Sequence, residues 1–150
     1  IIAGRVGSSI AAEIGTMAVS EEIDALRSMG ISPIRFLYVP RLFAMLIMQP
    51  VLTVFSVLMG IWGGGLVVAS YLQFPKTIYY ARVFSAIDAK DLVDGFSKPF
   101  VFAILIATIS THMGLRTREG AVGVGRSTTA AVVVSLMMIL CYVYKILVTF

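Results

Sequence analysis

His112 and Cys141, the single histidine and the single cysteine, are the first residues to weigh for catalysis. No second His, Cys or carboxylate stands at metal-ligand spacing from His112, which sits near the end of an apolar run. It reads as a buried or interfacial structural residue. Cys141 lies in an apolar run and has no partner for an internal disulfide, so it reads as a small core or lipid-facing residue. No Ser-His-Asp or Cys-His arrangement can be assembled. The stretch "GAVGVGRST", residues 120–128, is Gly-rich but lacks the Gly-Lys-Ser/Thr ending and the preceding strand of a phosphate loop. Any ATP would therefore be held by another subunit. The expectation is a chain with no catalytic residue, metal or cofactor of its own.

Two charged features remain. Lys98 stands beside Pro99 at the start of an apolar run, after Asp91 and Asp94. A cation there either meets a lipid phosphate or snorkels to the interface, and position alone leaves both readings open. The other feature is "EEIDALRSMGISP", residues 21–33, a charged island between apolar stretches. Glu21, Glu22, Asp24 and Arg27 fall in its first seven residues. Ser20 is an N-cap candidate, the two glutamates favour a helix N-terminus, and Gly30 and Pro33 end the helix. Val19, Ile23 and Leu26 share one face; Glu21, Asp24 and Ser28 share another. The spacing predicts a short amphipathic helix outside the hydrocarbon.

The elements that must hold these residues are apolar. The 150 residues are 59% hydrophobic and 13% charged, with mean hydropathy +0.95. A soluble domain carries about 25% charged residues, so the chain belongs in a membrane. The net charge of +4 is modest; the basic residues set topology and give no nucleic-acid signal. Uncharged runs cover 42–75, 99–115 and 127–144, and a spanning helix needs about 20 apolar residues. The first run is one long tilted helix over 37–72, or a hairpin turned at the "GGG" of 63–65. The single helix is favoured, because turn backbone at membrane depth is unsatisfied.

The expected organisation is one membrane domain. Residues 1–15 end a preceding span and 16–35 carry the surface helix. Spans cover 37–72, 99–115 and 128–150. Residues 76–98 form a second surface helix, and 114–127 a Gly- and Arg-rich loop. The opening "IIAGRVGSS" lacks a start Met and begins inside an apolar stretch, which reads as a chain with sequence before residue 1, not as a signal peptide. Arg5, Arg27, Arg35, Arg41, Arg116, Arg118 and Arg126 fall on one side, against Lys76, Arg82, Lys90 and Lys98 on the other. That bias makes the surface helix and the Gly-rich loop cytoplasmic. Small residues recur every fourth position at Ala3, Gly7, Ala11 and Gly15, at Ala103 and Ala107 (with Ser110 and Gly114), and at Gly60 and Gly64. Such stripes let helix backbones approach closely.

"DALRSMGISP", residues 24–33, resembles the cytoplasmic EAA-type loop of ABC-importer permeases, with its acidic residue and a Gly six positions later. "AGRVGSSIAAEIGTM" (3–17), "EEIDALRSMGISPIRFLYVPR" (21–41), "DLVDGFSKPFVFA" (91–103) and "GVGRSTTAAVVVS" (123–135) look like successive motifs of the MlaE (YrbE-like) permease family. The resemblance implies an all-α polytopic membrane bundle in the cell inner membrane, acting as a homodimer. It implies as partners a cytoplasmic ABC ATPase, a STAS-domain subunit and a hexameric ring of MCE-domain protein. The implied cargo is phospholipid, moved between inner and outer membranes to maintain outer-membrane lipid asymmetry. On this resemblance Glu21, Glu22, Ile23, Asp24, Leu26 and Arg27 form the coupling helix that meets the ATPase, and Lys98 with Asp91 lies on the lipid path. Two departures stand out. The family carries an acidic residue in its last span where this chain reads Leu140-Cys141-Tyr142. The family also has an interfacial helix and two spans ahead of the point where this chain begins. A membrane scaffold and an ion-coupled carrier are the alternative functions. The carrier needs a paired ionisable group inside a span, and Lys145 alone qualifies.

Overall fold

The computed structural model describes residues 2–71 and 75–149, without the side chains at 2, 71, 76, 89, 91, 92, 94 and 149. Among the described residues six α-helices follow in order: α1 (Ile2–Val19), α2 (Glu22–Ser28), α3 (Val39–Tyr71), α4 (Lys76–Ala86), α5 (Ala89–Leu115) and α6 (Gly120–Thr149). A single π-helical turn, Ile34–Tyr38, leads into α3. No strand occurs among the described residues. Ile34–Ser70, Gly95–Leu115 and Gly120–Val148 are each long and apolar enough to cross a membrane. The chain is an all-α polytopic membrane protein. Its helices group into two compact units, residues 1–46 with 102–150, and residues 47–101.

The first unit is built on small residues. Ala3, Ala11, Ala103, Ala107 and Ala131 are buried, and so are Gly7, Gly15 and Gly114. A β-carbon on Gly7 would stand 3.0 Å from the Ser110 hydroxyl, and one on Gly15 3.0 Å from that of Thr117. A β-carbon on Gly114 would stand 2.7 Å from the Ile14 β-carbon and 3.1 Å from the Ala11 carbonyl oxygen. These contacts run 7 to 110, then 14 to 114, so α1 and α5 are parallel. α6 returns antiparallel, with Gly4 facing Val132. Lipid is as apolar as a leucine side chain, so helices in it gain little from hydrophobic burial. Close packing of small residues supplies the contact instead.

Several boundaries differ from those read in the sequence. α1 continues to Val19, which is exposed and not on a buried face shared with Ile23 and Leu26. Ser20 does not cap α2. Its amide still donates to the Thr16 carbonyl, and the break is made by Glu21 alone, left-handed at φ 60 with no side-chain cap bond. Residues 63–65 lie inside α3 as a continuous helix, so there is no hairpin; residue 72 of the expected span lies outside the described residues. The segment 76–98 divides: α4 ends at Ala86, and residues 89–98 are already the first turns of α5. The Gly-rich loop shrinks from 114–127 to 116–119, because α6 starts at Gly120. Backbone near the hydrocarbon must satisfy its own hydrogen bonds, so helix extends through glycines that would favour a loop in water.

Candidate coupling site and membrane-facing polar groups

α2 is held by its ends. The Glu21 carbonyl accepts from the amides of Asp24 and Ala25. At the other end Gly30 is left-handed, φ +74. The Ile31 amide donates to the Leu26 carbonyl and the Gly30 amide to that of Arg27, both at 3.0 Å. This double bond pattern satisfies the last carbonyls and needs a residue without a β-carbon at position 30. The helix then has two faces. Ile23 is buried and Leu26 half-buried, whereas Glu21, Glu22, Asp24 and Arg27 are exposed. The Arg27 guanidinium donates to Asp24 at 2.8 Å, and the Ser20 hydroxyl donates to Glu22 at 3.0 Å. Beside the helix lies a shallow apolar cavity of about 240 Å³. Met17, Ile23, Leu26 and Met29 line it with Phe36 and Leu37. Exposed Met29 and Phe36 extend its apolar rim. This surface can receive a groove-shaped partner that offers apolar side chains and charges of both signs.

The six residues expected to form the coupling helix fall in one segment, with Glu21 at the break before α2 and the other five on α2 itself. Lys98 is on α5 and half-buried next to the buried Pro99. The Asp91 side chain lies outside the described residues, so the pairing of Asp91 with Lys98 is not described. Gly7, Ala11 and Gly15 line the buried face of α1. Gly64 faces the Tyr79 hydroxyl, 2.5 Å from where its β-carbon would be, while Gly60 has no neighbour within 4 Å. His112 and Cys141 are both exposed, not buried. No group of three metal-ligating side chains occurs among the described residues.

Sequence reasoning missed the polar ties between helices. Glu13 of α1 pairs with Arg41 of α3 at 2.7 Å, with the arginine only 17% exposed. Arg41 also donates to the Leu37 carbonyl at 3.2 Å. The hydroxyls of Tyr38 and Thr108 are 2.9 Å apart, and Thr117 donates to Ser127 at 2.7 Å. In the second unit the Tyr79 hydroxyl donates to the Ile61 carbonyl at 3.3 Å, where Gly64 and Gly65 leave room for the rings of Tyr79 and Tyr80. The available signal was an acid, Glu13, eight residues from the nearest charge on either side in a largely apolar segment.

With this geometry in hand, similarity to known proteins is informative. The family model described as Permease MlaE matches residues 1–149. A probable ABC transporter permease protein of Rickettsia prowazekii is 43% identical over 97% of this chain and 56% of its own length. One from Synechocystis is 45% identical over 93% of this chain and 53% of its own. The protein Trigalactosyldiacylglycerol 1, chloroplastic, of Arabidopsis thaliana is 40% identical over 91% of this chain and 39% of its own. The chain spans about half the length of the curated bacterial relatives it matches.

Proposed function

Because the chain belongs to the MlaE permease family, we propose that it serves as the permease part of an ABC transporter that moves phospholipid between inner and outer membranes. The family match over residues 1–149 carries this reading. Supporting it are relatives named as ABC transporter permeases and a plant relative whose name is that of a diacylglycerol lipid. In this reading the chain performs no catalysis. α2 docks on a cytoplasmic ATPase, with Ile23 and Leu26 toward an apolar groove and Glu21, Glu22, Asp24 and Arg27 meeting charges at its edge. ATP-driven closure of the ATPase then moves α2, and α2 moves α1 and α3, to which it is joined by short connections. The permease works as a homodimer in the inner membrane. An MCE-domain hexamer receives or delivers lipid on the far side, a STAS-domain subunit assists the ATPase, and outer-membrane lipid asymmetry is the outcome.

The test is reconstitution of the full-length permease with its ATPase in liposomes. Phospholipid is expected to be retained by the purified complex, and ATP is expected to drive its transfer to an acceptor. A complex that holds no phospholipid, or a permease that never copurifies with an ATPase, overturns the reading.

A further inference from the structure

α1 has a second face that packing does not explain. Opposite the buried Ala3, Gly7, Ala11 and Gly15 stand Arg5, Ser9, Glu13 and Thr16, all exposed. At helical spacing these four form one stripe. Its depth follows from its neighbours. Gly15 abuts Thr117, at the connection between α5 and α6. Gly4 faces Val132, in the middle of the candidate span Gly120–Val148, and Gly7 faces Ile106 and Ser110, inside Gly95–Leu115. Arg5, counted above with the cytoplasmic arginines, therefore lies near mid-membrane, which leaves six against four in the charge bias. The stripe runs inward from the α5–α6 connection for about 17 Å.

A polar stripe of this kind does not face hydrocarbon, where charged side chains are rare and line cavities or partner surfaces. Glu13 is already matched by Arg41, and it lies two turns from Arg5, too far to pair with it. The neighbouring Ser8 hydroxyl is turned back to the Arg5 carbonyl. Arg5 and Ser9 have no side-chain hydrogen bond or ion pair among the described residues. Among the described residues Arg5 is thus an unmatched guanidinium near mid-membrane, with the Ser9 hydroxyl one turn away. A guanidinium presents a planar fork of donors that fits a phosphate with two parallel bonds. We propose that Arg5, with Ser9 beside it, binds the phosphate of a phospholipid head group on a water-lined path along α1. This rests on phospholipid being the cargo, as proposed above.

The experiment uses the full-length permease purified with its ATPase. In a background cleared of cysteines, including Cys141, Ser9→Cys is expected to react with a charged thiol reagent. Ile104→Cys, on an exposed apolar position of α5, is expected to stay unreacted. Phospholipid extracted into organic solvent, which excludes free phosphate, is then counted per permease. Arg5→Gln is expected to lower it on the order of tenfold, the scale of a charge-assisted pair of bonds, and Arg5→Lys to restore part of it. A photoreactive residue at position 9 is expected to capture phospholipid with Arg5 intact. If the unaltered complex retains phospholipid but Arg5→Gln retains as much, the Arg5 site is wrong while the functional reading stands. If the unaltered complex retains none, the functional reading itself falls. If Arg5→Gln fails to assemble and position 9 captures no lipid, Arg5 pairs with a carboxylate of another helix and the proposal is overturned.

Discussion

Glu13 and Arg41 join α1 to α3 at 2.7 Å with the arginine mostly shielded from solvent. Removing one partner strands the other, and a half-shielded pair of this kind is worth between about 1 and 3 kcal/mol. Glu13→Gln and Arg41→Gln are each expected to lower the thermal stability of the purified permease, and the double variant to lose less than the two losses added. Strict additivity would show that the pair contributes no coupling. Lys98 is the other residue whose role a single position can decide. A photoreactive amino acid at 98 is expected to capture phospholipid in cells. Capture at the exposed Phe100 with none at 98 would leave Lys98 as a side chain that only reaches for the interface.

Between elements, the same residue type has opposite consequences depending on what faces it. Gly114 has the Ile14 β-carbon and the Ala11 carbonyl where its own side chain would go. Gly114→Ala is therefore expected to push α1 and α5 apart and to destabilise the permease by about 1–3 kcal/mol. Gly60 has nothing within 4 Å, so Gly60→Ala is expected to be neutral or to stabilise α3 by up to about 1 kcal/mol. Thermal melts of the two variants check the contrast, and similar melts would mean that the close approach of α1 and α5 is absent. For α2, reversing Glu22 and Asp24 to Lys is expected to weaken ATPase copurification and to abolish stimulated ATP hydrolysis. Like charges set against each other at an interface cost several kcal/mol. Unchanged copurification and hydrolysis would remove α2 from the coupling role.

At the scale of the whole molecule, the uncharged run 99–115 between the α4–α5 and α5–α6 connections is expected to cross the membrane once. With the Lys and Arg bias, a cysteine at Glu119 is expected to react with an impermeant reagent only from the cytoplasmic side, and one at Ala86 only from outside. Reaction of both from one side would break the three-span topology.

The positions of the spans were legible in the sequence, because uncharged runs of this length have one stable home and must hydrogen-bond their own backbone. α2 was legible too: its charges and Gly30 act through local hydrogen bonds a few residues apart. Its start was not: Ser20 was read as the cap, yet its amide stays bonded to Thr16 and the left-handed Glu21 makes the break. The family was readable from motifs spread in order along the chain. The tertiary structure alone decided which of the small-residue stripes meet a neighbour. Gly7, Gly15 and Gly114 do so, and Gly60 does not, although the sequence writes them alike. It also left Arg5, Ser9, Glu13 and Thr16 of α1 as one exposed stripe. Which face of a helix is polar can be read from spacing, but what that face meets depends on where the other helices pack. The Glu13–Arg41 pair spans 28 residues of chain and exists only once α1 and α3 stand side by side.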